Sequence, residues 1–223
     1  MTGHRQLALL VEGQTEETLV RQVLGPYLQD EVGFSWVQPI VIPTRRSGTG
    51  PAARGGVGSW PAVEKALRRL LTPAHHTVST LIDYYALPLD APGMSTRPAA
   101  DARARVRHVE EAIGAQLRDE RLVPHVVLHE IETWVLASLD HSGAHLPANA
   151  VRQLQDAVAA AGEPELVNDD PNSAPSKRIL RASPTYGKIQ GAAAIIGAAG
   201  FPHVLATCPH TRDWVDRLRR RLA

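Results

Sequence analysis

Residues Gln6 to Val11 (QLALLV) form a short apolar run that stops at Glu12-Gly13, and a helical pattern begins within a few residues of that stop. A continuous apolar run of this length reads as a buried strand. Thr15 is placed to cap the helix, with Glu16 and Glu17 in its first turn, where the macrodipole favours acids. Leu19, Val20, Val23, Leu24, Tyr27 and Leu28 then recur at helical spacing and share one face. The chain therefore opens as strand, tight turn, helix.

The alternation continues. Trp36 to Ile42 reads as a second strand, stopped by Pro43. Residues 44–59 (TRRSGTGPAARGGVGS) carry no periodicity and read as a long loop, a type of segment that is usually functional or disordered. A helix is predicted from about Pro61, with Val63, Leu67, Leu70 and Leu71 inward, and Thr77 to Ile82 is the next strand, leading into Asp83. Tyr84 to Arg97 reads as a connection, and Val106, Val109, Ile113 and Leu117 mark a helix. His125 to Leu128 is strand-like, Thr133 to Leu139 helical, and Val151, Leu154 and Val158 mark a helix ending near Gly162. After a polar, proline-rich stretch (NDDPNSAPSKRIL), an Ala/Gly-rich helix is expected from about Gly191 and a terminal helix around Trp214. Strands alternating with helices predict an α/β fold with a central, mainly parallel sheet flanked by helices. We expect one domain over residues 1–223, helical from about residue 145, with ligands at the carboxyl ends of its strands.

Composition narrows the function classes. A net charge of +1 over 223 residues argues against a polybasic binder, so nucleic-acid contact requires a local patch. The single cysteine, Cys208, supports no disulfide framework and reads as a small buried hydrophobe. No stretch approaches about 18 consecutive apolar residues, and the N-terminus shows no signal-peptide core, so a cytoplasmic protein without a membrane span is expected. Thiol and zinc chemistry find no motif: His75-His76, His203 and His210 are scattered, and neither CxxC nor HExxH occurs. Gly55-Gly56 and Gly58 lack the GK[ST] of a P-loop.

Acids fall at the strand ends instead. Glu12 closes the first strand, Asp83 closes STLID, and Glu130 and Glu132 lie in HVVLHEIE, on one face if that strand persists through Glu132. Glu16 lies one helical turn beyond Glu12. Clustered carboxylates repel unless a cation neutralises them, and oxygen ligands select Mg²⁺ or Mn²⁺. Each acid also has a structural reading: Glu16 as a first-turn acid, Asp83 as a turn cap, Glu130 as the partner of an arginine.

The run LLVEGQTEETLV resembles the first motif of Toprim-like domains, in which the glutamate after a hydrophobic strand binds catalytic metal. More closely, the chain resembles a bacterial family of the Toprim-like superfamily with the pattern VEGxTE, DYYxLP, HEFE, PSKR, Y-x-K and CPHFxxW. Those segments stand here as Val11–Glu16, Asp83–Pro88, His129–Glu132, Pro175–Arg178, Tyr186 with Lys188, and Cys208–Trp214. The resemblance implies kinship with OLD-family nucleases, topoisomerases and primases, and metal-dependent phosphodiester chemistry. By position, Glu12 matches the Toprim glutamate, Glu16 a second acid of OLD-type sites, and Asp83 the first aspartate of DxD. Tyr85 replaces the second aspartate, which leaves Glu130 or Glu132 to complete the site.

The resulting expectation is a Mg²⁺- or Mn²⁺-dependent nuclease. Glu12, Glu16, Asp83, Glu130 and Glu132 would hold the metal, with Lys177 first and Lys188 second as the lysine that stabilises the transition state. Arg45, Arg46, Arg54, Arg178 and Lys188 would contact nucleic acid. A phage-defence setting with an ATPase partner protein fits the resemblance. The other readings are a non-catalytic module, favoured by Tyr85, and phosphoryl transfer on a small phosphate. His129 is either a general base or a structural histidine, Trp134 and Trp214 read as core, and Tyr186 either stacks on a base or packs. The terminal RLRRR run is either a nucleic-acid contact or a solvated helix face.

Overall fold

The computed structural model describes residues 5–42, 57–72, 77–167 and 173–222. Strand β1 (Gln6–Val11) lies between β2 (Trp36–Val41) and β3 (Thr77–Asp83) and runs parallel to both. Two short strands, β4 (Leu122–Val123) and β5 (Val126–Val127), pair in parallel with successive stretches of β3. The result is a five-stranded parallel sheet in the order β2-β1-β3-β4, with β5 beside the end of β3.

Alternation along β1 divides the core in two. Leu7, Leu9 and Val11 enter one cluster, with Leu19, Leu24, Trp134, Ile195 and Trp214; Ala8 and Leu10 enter the other, with Val63, Leu67, Val106 and Ile113. Both faces are thus covered by helices, as a parallel sheet requires, and that explains why QLALLV has no polar alternation. Helices α3 (Trp60–Leu70) and α4 (Ala102–Leu117) cover the second face. Asp101 starts α4 by accepting from the Ala104 N–H at 2.8 Å. On the outer strand, Trp36 is 57% exposed and Pro39 replaces a ladder donor, a residue tolerated at a sheet edge.

The first helix, α1 (Gln14–Leu19), is capped by Gly13 rather than Thr15. Glu16 reaches back one turn to accept from the Gly13 N–H at 2.9 Å, so this acid caps the helix as well as suiting its dipole. The helical path continues through π-type turns and α2 (Gly25–Tyr27) to Val32, where Gly33 leaves it at φ 98°.

The segment HVVLHEIE is not one strand. Pairing ends at Val127, His129 takes a left-handed φ of 62°, and Glu132 opens α5 (Glu132–Ala137). The strand period therefore does not relate Glu130 to Glu132; a chain reversal does. The C-terminal half adds α6 (Ala148–Ala161), α7 (Pro175–Ala182), α8 (Lys188–Ala199), α9 (Phe201–Thr207) and α10 (Pro209–Arg220). PSKR, read only as a polar segment, starts α7, because proline pre-sets the first helical φ and needs no N–H there. Helices α8 and α9 meet at an 85° bend, and among the described residues no single helix is long and apolar enough to cross a membrane.

Candidate metal centre

Leaving β1, the chain crosses to β2 on one side and later to β3 on the other, so the sheet's topological switch point lies between β1 and β3. Glu12 follows the last residue of β1, and Asp83 is the last residue of β3. Around them the fold gathers Glu16 from α1 and Glu130 and Glu132 from the turn into α5, all close enough to act on Asp83.

Backbone amides orient these acids one by one. The Asp83 N–H donates to the Glu12 carboxylate. The Gly13 N–H donates to Glu16, Ile131 N–H to Asp83 Oδ1 and Ser176 N–H to Glu130 Oε2, each at 2.9 Å. Ser176 lies in the first turn of α7, so PSKR presents a helix N-terminus to Glu130. Glu132 is held by Lys188 Nζ, 3.2 Å from Oε1, at the start of α8. Five carboxylates thus gather around this ion pair.

The imbalance shows in their acidity. Burial, and then the charge of Glu16, push the Glu12 carboxyl up to about 7. Burial with the charges of Glu16 and Glu12 holds Asp83 well above the usual carboxylate range. Burial raises Glu16 and Glu132 as well, with Lys188 working against it in both. Burial opposes the charge on Lys188, but Glu132 and Glu130 outweigh it and raise that pKa. Glu12 Oε2 is buried without a hydrogen-bond donor among the described residues. An all-oxygen donor set with excess negative charge and an unsatisfied buried oxygen fits a hard divalent cation.

A model of a family described as a domain of unknown function (DUF4276) matches residues 11–219. The chain belongs to that family. The match begins one residue before Glu12 and spans all five acids. No curated protein matches the chain. Among solved structures, it is similar to the C-terminal region of the Burkholderia pseudomallei OLD protein at 16% identity and a TM-score of 0.45, covering 99% of this chain and 100% of that one. The C-terminal region of the Xanthomonas campestris pv. campestris OLD protein is similar at 17% identity and a TM-score of 0.39, covering 99% of this chain and 96% of that one.

The other named residues of this DUF4276 chain fall as follows. Lys177 is exposed in the first turn of α7, beside Ser176, and Arg178 is half-buried there. Arg45, Arg46 and Arg54 lie outside the described residues. The Tyr85 ring tilts against the buried His129 ring, centroids 5.3 Å apart. Tyr186 is buried at 6% exposure, as the packing alternative expects. Trp134, Trp214 and Cys208 are fully buried, as their sequence context predicts. The terminal arginines are partly structural: Arg217 pairs with Glu110, and Arg219 bonds Asp216 and the Tyr27 hydroxyl.

One cluster left no spacing signal in the sequence. Glu110, His125 and His210 bring three ligand atoms within 4.8 Å of one another, and among the described residues no three of the five acids come that close. Glu110 already accepts from the Val126 N–H at 2.8 Å, Arg217 at 2.9 Å and His210 Nε2 at 3.1 Å. His125 lies 3.3 Å from the same carboxylate and stacks on Trp214, ring centroids 4.3 Å apart. Burial alone would raise the Glu110 pKa, yet these neighbours hold it well below the usual range, while burial pushes His125 down to about 4. With Arg217 supplying the countercharge, a dication here would leave uncompensated positive charge in a dry site. The Glu110 charge is therefore answered within the protein, although neither ring nitrogen of His125 has a hydrogen-bond partner among the described residues, whereas the acidic cluster carries excess negative charge.

Proposed function

We propose that the acidic cluster binds Mg²⁺ or Mn²⁺ and that this protein is a Toprim-like, metal-dependent phosphodiesterase acting on nucleic acid. The observation that carries this reading is the gathering of Glu12, Glu16, Asp83, Glu130 and Glu132, from three separate segments, at the switch point of a parallel sheet with Lys188 as the paired cation. Such crowding costs stability, and a bound cation relieves it. A divalent cation in this place supplies Lewis-acid activation of water and charge stabilisation at phosphorus. The amides of Asp83, Gly13, Ile131 and Ser176 orient the carboxylates beforehand, and a bound cation would draw their oxygens closer together. Lys188, its side chain 43% exposed, is placed to meet an incoming phosphate. Lys177 and Arg178 on α7, with Arg45, Arg46 and Arg54, would contact the substrate backbone. The motif resemblance adds a phage-defence setting and an ATPase partner to this reading.

Titration calorimetry with Mg²⁺ and Mn²⁺ on wild type and Glu12→Gln tests the site, with cleavage of plasmid DNA, RNA and a small aryl phosphodiester as the activity readout. The expected result is cation binding and cleavage in wild type, both lost in the variant. Absence of binding at millimolar cation overturns the reading. Binding without cleavage of any substrate supports the second reading, a non-catalytic module that binds a partner protein or nucleic acid, which Tyr85 in place of the second aspartate favours.

A further inference from the structure

Tyr186 immediately precedes the N-cap of α8. Its ring packs so closely on Gly191 that a Cβ there would lie 2.8 Å from Cε2, so the absence of a side chain at 191 helps set the ring's position. The hydroxyl at the end of that ring is buried and has no hydrogen-bond partner among the described residues. A buried, unmatched hydroxyl destabilises a fold, and phenylalanine would fill the same space without it. The unmatched group sits near the acidic centre: the charge of Glu132 adds to burial in raising the phenol's pKa. Two residues later Lys188 forms its ion pair with the same carboxylate at 3.2 Å. The Y-x-K motif thus brings Lys188 to Glu132 and leaves, two residues earlier, a buried hydroxyl without a partner among the described residues.

We propose that Tyr186 is a positioning residue of the acidic site, its hydroxyl donating to Glu132 in the cation-loaded protein and holding that carboxylate in place when Lys188 is drawn toward substrate. The proposal rests on the cation reading above. Donors behind ligating carboxylates commonly govern affinity in this way. Neutralisation of the cluster makes the exchange possible, since Lys188 is then no longer needed to offset Glu132.

The test uses the full chain and Mn²⁺ alone, comparing wild type with Tyr186→Phe by calorimetry, near-ultraviolet difference spectroscopy and urea denaturation. Without cation, Tyr186→Phe is expected to be as stable as wild type or more so. Its Mn²⁺ affinity should be about tenfold weaker or worse. Saturating Mn²⁺ should produce a tyrosine difference band in wild type that is missing in the variant. Equal affinities, or no such band, overturn the proposal while leaving the cation reading intact. Destabilisation of the cation-free variant also overturns it, because the hydroxyl would then already serve a structural partner. Wild type that binds no Mn²⁺ overturns both.

Discussion

Two buried groups of titratable side chains lie in this fold and are built in opposite ways. Around Glu110, the carboxylate is answered by a backbone amide, Arg217 and His210, and the unpartnered ring of His125 stacks on Trp214. Around Asp83, carboxylates face carboxylates, one oxygen of Glu12 has no donor among the described residues, and Lys188 pairs with Glu132. The first arrangement holds α4, β5 and α10 together. The second opposes folding, and its backbone hydrogen bonds orient the acids without neutralising them. Burial is common to both, so burial alone does not mark a functional site; the balance of charge within it does.

The largest effect should come from breaking the Glu110 cluster. Glu110→Ala leaves Arg217 and the Val126 N–H without their acceptor, and His210 with the Val126 carbonyl alone, and should cost about 3–5 kcal/mol in urea denaturation. A loss under about 1 kcal/mol would erase the contrast drawn here.

Next in size is cation addition. At a hundred times its dissociation constant, Mn²⁺ should stabilise wild type by about 2.7 kcal/mol and leave Glu12→Gln unchanged, as read by thermal denaturation. Equal stabilisation of Glu110→Gln and wild type would confirm that the Glu110 trio is not where the cation binds.

The pH response should separate the clusters by sign. The Glu12 pKa rises on folding from 4.5 to about 7, so its contribution is favourable below 4.5 and lost as pH rises through 7. Glu12→Gln should therefore match wild type near pH 4 and exceed it by about 1–3 kcal/mol above pH 7. The His125 pKa falls on folding from 6.5 to about 4, so its contribution is present above 6.5 and lost as pH falls toward 4. Glu110, also depressed, adds to the loss below 4.5. Glu16, Asp83 and Glu132, all raised, gain stability over the same window, so the His125 contribution is read by difference. Between pH 6.5 and 4 a His125→Phe variant should lose less stability than its parent, and equal profiles would refute the burial of a neutral His125.

The smallest effect belongs to Lys188. Its side chain is 43% exposed, so Lys188→Met should cost under about 1 kcal/mol at neutral pH despite the short ion pair. A larger loss would mean that the acidic cluster depends on this lysine for folding.

Much of the architecture was legible because it depends on local pattern. QLALLV, the strand into Asp83 and the apolar faces of α3, α4 and α6 lie where their periodicities predict, since a sheet covered on both faces demands continuous apolar strands. Boundaries failed where a side chain or proline competes with propensity. Glu16 caps α1 from inside the helix, Pro175 begins a helix inside a proline-rich stretch, and His129 ends a strand by entering the left-handed region.

By itself, the sequence determined that acids stand at strand ends: Glu12 after an apolar run, Asp83 at the close of another, and Glu130 and Glu132 near a third. Parallel strands bring their carboxyl ends to one edge, so this much follows from order along the chain. Tertiary structure alone decided which cations and donors meet them. Lys188 and the Ser176 amide arrive on helices packed from the C-terminal half, and Glu110, His125 and His210 meet across up to 100 residues of sequence. Such pairings depend on how helices dock against a sheet, a matter of long-range packing that no local spacing encodes.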